Sequence, residues 1–365
     1  MRPTSIGSPV VALLVLLTAL LASCSRPLHH QESYVFGTRV EILVADADEK
    51  HARSAVAAVL SEFDRLHKTY HAWQASELTD LNTALAEGKT WPLGQEMTRL
   101  LSDAQRFSAL SDGLFDPGIG WLIHAWGFQS DDFKSVLPSP AELTDWREHR
   151  AGIADLRLDG ETVSSPSRRV SIDLGGYLKG YALDRAGAIL HEYGIRNALI
   201  NIGGNILALG DKHGEPWRIG IQNPRRTEPL ATLELHDGEA IGTSGDYQRY
   251  FEVDGKRYSH LLDPRSGAPV DHTQALTVLI SPRPNVGTLS DVASKPLFIA
   301  GPGWPELAVR LGVDQVMRVD ADGNIVVSPK MHRRLSFADG VPAASQIPLP
   351  DAKLSGKTSG SPGIP

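Results

Sequence analysis

Four segments of this 365-residue chain gather carboxylates, basic groups and glycines more densely than core packing requires. In Ser171-Ile172-Asp173-Leu174-Gly175-Gly176-Tyr177-Leu178-Lys179 a strand-like stretch ends in two glycines and opens a helical pattern. Free amides at a helix start and the positive end of its dipole attract anions, and Lys179 adds a point charge, so the segment suits a phosphate. It suits equally a bare strand-to-helix turn with Lys179 in solvent. Further on, His260 lies just before a turn beside Ser259, Asp263 and Arg265. A histidine so placed can shuttle a proton near neutral pH, or simply hold a strand end by a hydrogen bond. Ser290-Asp291-Val292-Ala293-Ser294-Lys295 sets a carboxylate near the opening of a helix, where capping is the ordinary role. Lys295 follows one turn later, on the same face. Finally, Gly113-Leu114-Phe115-Asp116-Pro117-Gly118-Ile119-Gly120-Trp121 is a tight loop whose aromatic rings could offer a flat wall to a ligand, or cover a hydrophobic core.

The elements that carry these groups alternate in type. Val56, Val59, Leu60, Phe63 and Leu66 recur at helical spacing, as do Met97, Leu100, Leu101, Ala104 and Phe107, and a helix is expected over residues 289–299. Short strands are expected over residues 198–202, 218–221, 232–235, 247–253 and 276–280, with hairpin turns at Asp254-Gly255 and Asp322-Gly323. The fold class is therefore mixed α/β, without internal repeats. Before it, residues 1–23 combine Arg2, an apolar run and Leu21-Ala22-Ser23-Cys24, the pattern of a lipoprotein signal peptide cleaved before an acylated Cys24. Residues 24–32 read as a spacer, 33–338 as the folded domain, and 339–365 as a disordered tail with too few large apolar side chains to offset its ordering entropy.

Composition narrows the chemistry. Cys24 is the only cysteine, which rules out disulfides, zinc-cysteine sites and a cysteine nucleophile in the domain. A net charge of -7 gives no footprint for nucleic acid. Neither G-x-x-x-x-G-K-[ST], nor a post-strand G-x-G-x-x-G, nor H-E-x-x-H occurs, so a bound nucleotide would be held in another way.

Taken in order, the motifs resemble the ApbE family of flavin transferases. They are F-G-T at Phe36-Gly37-Thr38, E-L-x-x-L-N from Glu77, and G-x-F-D-P-x-x-G from Gly113 with W-G-F at Trp126. D-L-G-G-x-x-K-G-Y-A from Asp173, N-x-G-G from Asn201, T-S-G at Thr243-Ser244-Gly245 and S-H-x-x-D-P-x-[ST]-G from Ser259 follow. The resemblance implies an α/β body of two halves that binds FAD between them and, with Mg2+, transfers FMN to a serine or threonine of an acceptor protein, releasing AMP. It implies nucleotide contacts from Phe36, Tyr70, Phe115, Asp116, Asp173, Lys179, Ser244 and His260, with His260 as base and Lys179 as a catalytic cation. Mg2+ would be held by the main-chain oxygen of Gly176 and the carboxylate of Asp291. The acceptor would belong to a membrane redox complex on the extracytoplasmic side, where Cys24 anchors the enzyme.

Two departures stand out. Lys295 occupies the place of the family's threonine ligand, four residues after the metal-binding aspartate, and a charged lysine cannot ligate Mg2+. Its ammonium replaces part of the metal's role, or it points away. The family's Tyr-x-Pro is here His71-Ala72-Trp73, which leaves the aromatic contact to Tyr70, His71 or Trp73. An FAD pyrophosphatase and a non-catalytic FAD-binding lipoprotein are the alternative functions.

Overall fold

The computed structural model of the protein describes residues 28–130, 135 and 137–351. One nine-stranded mixed sheet dominates, and its strand order follows the chain. The strands are β1 (Leu28–Val35), β2 (Thr38–Ala45), β3 (Ala198–Ile202), β4 (Asn205–Leu209), β5 (Ala240–Gly245), β6 (Thr273–Ile280), β7 (Val316–Asp320), β8 (Ile325–Val327) and β9 (Ser345–Gln346). Neighbours run antiparallel except β8 and β9. Five helices matter for the site: α1 (Glu49–Thr69), α2 (Glu77–Ala86), α3 (Gln95–Leu110), α4 (Leu178–Glu192) and α5 (Val286–Ala300).

The apolar stripes of α1, α4 and α5 pack on one face of the sheet. A three-stranded sheet of residues Trp217–Gln222, Pro229–Leu235 and Ser336–Phe337 covers the other. That is why β6 is buried along its whole length, the polar Thr273, Gln274 and Thr277 included, instead of alternating buried and exposed. Where α4, α5 and β5 meet, glycines remove the side chains that would hold them apart. A Cβ on Gly180 would lie 2.5 Å from the Asp291 Cβ, and one on Gly242 2.1 Å from the Ser290 carbonyl oxygen. A separate cluster of Ile119, Leu122, Trp126, Phe128, Trp146, Phe251 and Leu262 ties the W-G-F segment to the hairpin Tyr250–Val253 and Lys256–Ser259.

Three expectations are corrected. The folded chain begins by Leu28, inside the expected spacer, because β1 is an exposed edge strand held by its backbone ladder to β2 and needs no apolar alternation. The tail expected to be disordered from residue 339 contributes β9, and Ile347 N–H donates to Val327 O at 2.9 Å. Backbone bonding of this kind leaves no signature in side-chain composition. The stretch before Gly175-Gly176 is no strand: Ser171 makes a single bridge to Ile119, and the chain then turns into α4. Among the described residues no helix is long and apolar enough to cross a membrane. Cys24 and the leader lie outside the described residues.

Candidate active site

Asp291 is no helix cap. It sits inside α5, and Asp184 of α4 does the capping instead, accepting from Gly287 N–H at 2.7 Å and from Thr288 N–H at 2.8 Å. Asp291 is 1% exposed, and both oxygens of its carboxylate are engaged. Oδ2 accepts from Gly180 N–H at 2.8 Å, and Oδ1 from Asn205 Nδ2 at 3.0 Å and from the Lys295 ammonium. Lys295 Nζ also donates to the Asp291 carbonyl at 2.8 Å. The lysine therefore points into the site. Its stem crosses Gly176, where a Cβ would lie 3.0 Å from Cε and 3.1 Å from Cδ.

Lys179, in the first turn of α4, is partly buried. Burial lowers its pKa, Asp291 raises it, and Lys295 and Arg249 lower it further, which places all four groups in one electrostatic neighbourhood. Among the described residues Lys179 has no hydrogen-bond or ion-pair partner, yet its Nζ is not sealed in the core.

His260 follows the hairpin strand and has its pKa held down at about 3, chiefly by burial and then by Arg249 and Lys179. The imidazole is thus neutral at physiological pH. Its Nδ1 meets the Arg249 carbonyl at 3.1 Å and must be the donor there, which leaves Nε2 unprotonated. An anion near Lys179 and Arg249 would offset two of the causes of the depression and make Nε2 a stronger base.

Other expected contacts are differently employed. Phe115 is a buried ring edge-on to Phe107, and its Cε2 approaches Gly176, so it backs the site and offers no open face. The Asp116 carboxylate turns inward, where Oδ1 accepts from Gly118 N–H at 2.7 Å and Ile153 N–H at 2.8 Å. Burial pushes its pKa up to about 6. Asp173 is buried and accepts from Gly175 N–H at 2.9 Å, shaping the glycine turn, while Arg249 and His71 act on it electrostatically. Ser244 is buried 2.8 Å from Ser294 Oγ, tying β5 to α5. Tyr70 is 4% exposed and donates to Glu96 Oε2 at 2.8 Å, because the last turn of α1 faces the core there. Tyr70, Ser244 and the Asp116 carboxylate are thus each engaged by partners within the protein.

Phe36, at φ +57° in the β1–β2 turn, heads a row of half-buried rings. It lies 5.8 Å from His67, which lies 4.9 Å from His71, which lies 4.7 Å from Trp73. The Arg249 guanidinium sits 5.8 Å from the Trp73 ring, so the aromatic row ends at the charged cluster. Sequence reasoning missed Arg249, His67 and Asn205. Only Asn205 carried a signal, since two positive-φ glycines immediately precede it and start β4 at that residue.

The oxygens expected to hold Mg2+ do not fit that ion here. Both Asp291 oxygens carry donors, one of them an ammonium whose stem lies over Gly176. A dication would have to displace a covalently tethered like charge to reach the carboxylate. The buried Oδ1 of Asn205 is left without a partner, but a neutral amide oxygen does not compensate for that repulsion.

Comparison with known proteins gives a consistent result. The model of the ApbE family matches residues 36–317. A FAD:protein FMN transferase of Rhodobacter capsulatus is 38% identical over 308 residues, which are 84% of this chain and 58% of that protein. One from Vibrio cholerae is 33% identical over 74% of this chain and 82% of its own length. Among solved structures, an ApbE protein of Thermotoga maritima superposes with a TM-score of 0.77 at 30% identity, covering 84% of this chain and 99% of that one. The flavinyl transferase ApbE of Pseudomonas stutzeri gives 0.73 at 28% identity, covering 87% and 98%.

Proposed function

The chain belongs to the ApbE family, and from that premise we propose that it is a FAD:protein FMN transferase. The observation that carries the proposal is the convergence of Lys179, Arg249 and Lys295 on His260, in a chain whose net charge is negative. Three cations around one neutral imidazole suit a diphosphate undergoing displacement. The row from Phe36 to Trp73 suits the flat rings at the ends of FAD.

In this scheme the acceptor hydroxyl oxygen forms a bond to the FMN-side phosphorus, and the bond from that phosphorus to the AMP oxygen breaks. The hydroxyl proton passes to His260 Nε2 and then to solvent, and AMP leaves with the displaced electron pair. Lys179 and Arg249 neutralise charge on the diphosphate, and the glycine turn, fixed by the bond from Gly175 N–H to Asp173, leaves the Gly176 amide to donate to it. The Mg2+ that the resemblance implies has no part in this scheme, because Lys295 engages its expected carboxylate ligand.

The proposal extends to location. Acylated Cys24 would anchor the domain at the extracytoplasmic face of a membrane, near an acceptor in a redox complex. Cys24→Ser should release the protein from the membrane fraction, and retention after leader cleavage would refute the anchor. For the activity, the full chain is incubated with FAD and candidate acceptor domains. An acceptor heavier by FMN less one water, with AMP released, is expected. Free FMN and AMP with an unmodified acceptor would indicate a pyrophosphatase, and intact FAD a carrier.

A further inference from the structure

We propose that Lys295 is the resident cation of this site, an ammonium built into the chain that does the work of a divalent ion. The inference rests on the proposed function, since it concerns the FAD diphosphate.

A carboxylate as buried as that of Asp291 requires a counter-charge. Lys295 supplies it from one turn along α5, bonding both Oδ1 and the carbonyl oxygen of Asp291. The arm is held along its length. Gly176 has no side chain to push it aside, and Asn205 and Gly180 fix the carboxylate from other directions. The ammonium is therefore a fixed point charge between Gly176 and Asp291.

Its field reaches the reacting groups, because it lowers the pKa of both Lys179 and His260. An exchangeable dication would be lost to chelators, whereas a lysine cannot be. Together Lys295, Lys179 and Arg249 set three cationic groups against the one carboxylate of Asp291, a net positive field that belongs wholly to the chain. Ser294 and Ser244 brace α5 against β5 beneath this cluster, which keeps the ammonium in register with the glycine turn.

The test uses the full chain with FAD and, separately, an acceptor. FAD affinity, followed by flavin fluorescence, and transfer rate are measured in EDTA and in Mg2+, with calorimetric titration of Mg2+ into the FAD-bound protein. The expected result is the same affinity and rate in both buffers, and no saturable Mg2+ binding. Lys295→Thr should lose at least about tenfold in EDTA, the scale of one charge-assisted contact, and recover in Mg2+. FAD binding or transfer that collapses in EDTA in the parent and returns with stoichiometric Mg2+ overturns the inference and leaves the function standing. Failure to bind FAD in either buffer overturns both. If Lys295→Thr does not fold, the parent's EDTA comparison decides alone.

Discussion

The charged cluster on α4 and α5 and the aromatic row from Phe36 to Trp73 are built in opposite ways. Asp291 is buried, bonded at both oxygens, and enclosed by helices that only glycine allows to approach. The rings of Phe36, His67, His71 and Trp73 come from a turn, a helix and a loop, and stay half-exposed. An over-determined cluster holds charge at fixed points, as displacement at phosphorus requires, whereas a loose row of rings contributes area and adapts to its ligand. The two regions should therefore fail differently, the first through folding and turnover, the second through affinity.

The largest effect is expected at the closest approach. Gly180→Ala would press a methyl group onto the Asp291 Cβ and the Gly287 carbonyl, each at 2.5 Å, so α4 and α5 must separate. A loss of about 3 kcal/mol in urea denaturation is expected. A variant as stable as the parent would show that the cluster is not tightly enclosed.

Next comes Asp291→Ala, which leaves the Lys295 ammonium without its carboxylate. Breaking a buried pair costs about 3 kcal/mol, less here because the Lys295 side chain is 17% exposed. Transfer should be abolished. Adding Lys295→Ala should return part of the stability and none of the transfer. Transfer at the parent rate in Asp291→Ala would remove this residue from the mechanism.

Much of the cluster was legible in the sequence. Gly176, Lys179, His260, Asp291 and Lys295 all come together, because each sat in a short motif whose spacing constrains the backbone. What sequence could not give was which side chains turn inward. Asp116 and Ser244 stand in equally good motifs, and Tyr70 beside a departure from one, yet partners within the protein engage the polar atoms of all three. Arg249 was invisible, since its place depends on the hairpin packing against the W-G-F segment. The strands β1 and β9 were likewise hidden, being held by backbone bonds that any sequence can make.

A smaller effect tests one of those inward-turned groups. The folded-state pKa of Asp116 stands at about 6, above its ordinary value of 3.8. Between those limits the folded protein keeps a proton that the unfolded chain has lost, so this group makes stability fall as pH rises from about 4 to about 6. Asp116→Asn keeps an acceptor for Gly118 and Ile153 but has no charge to bury. It should flatten that pH dependence and gain on the order of 2 kcal/mol at pH 7 relative to the parent. Unfolding curves at pH 4 and pH 7 that shift in parallel for both proteins would contradict the assignment.

The central division, chemistry in the charged cluster and affinity in the ring row, is tested most directly by single-turnover FMN transfer at saturating FAD, with Lys179→Ala and Trp73→Ala measured side by side. The account predicts a rate about a hundredfold or more below the parent for Lys179→Ala, and the parent rate for Trp73→Ala with FAD affinity weakened by about tenfold. Equal losses of rate in the two variants, or a normal rate in Lys179→Ala, would contradict it.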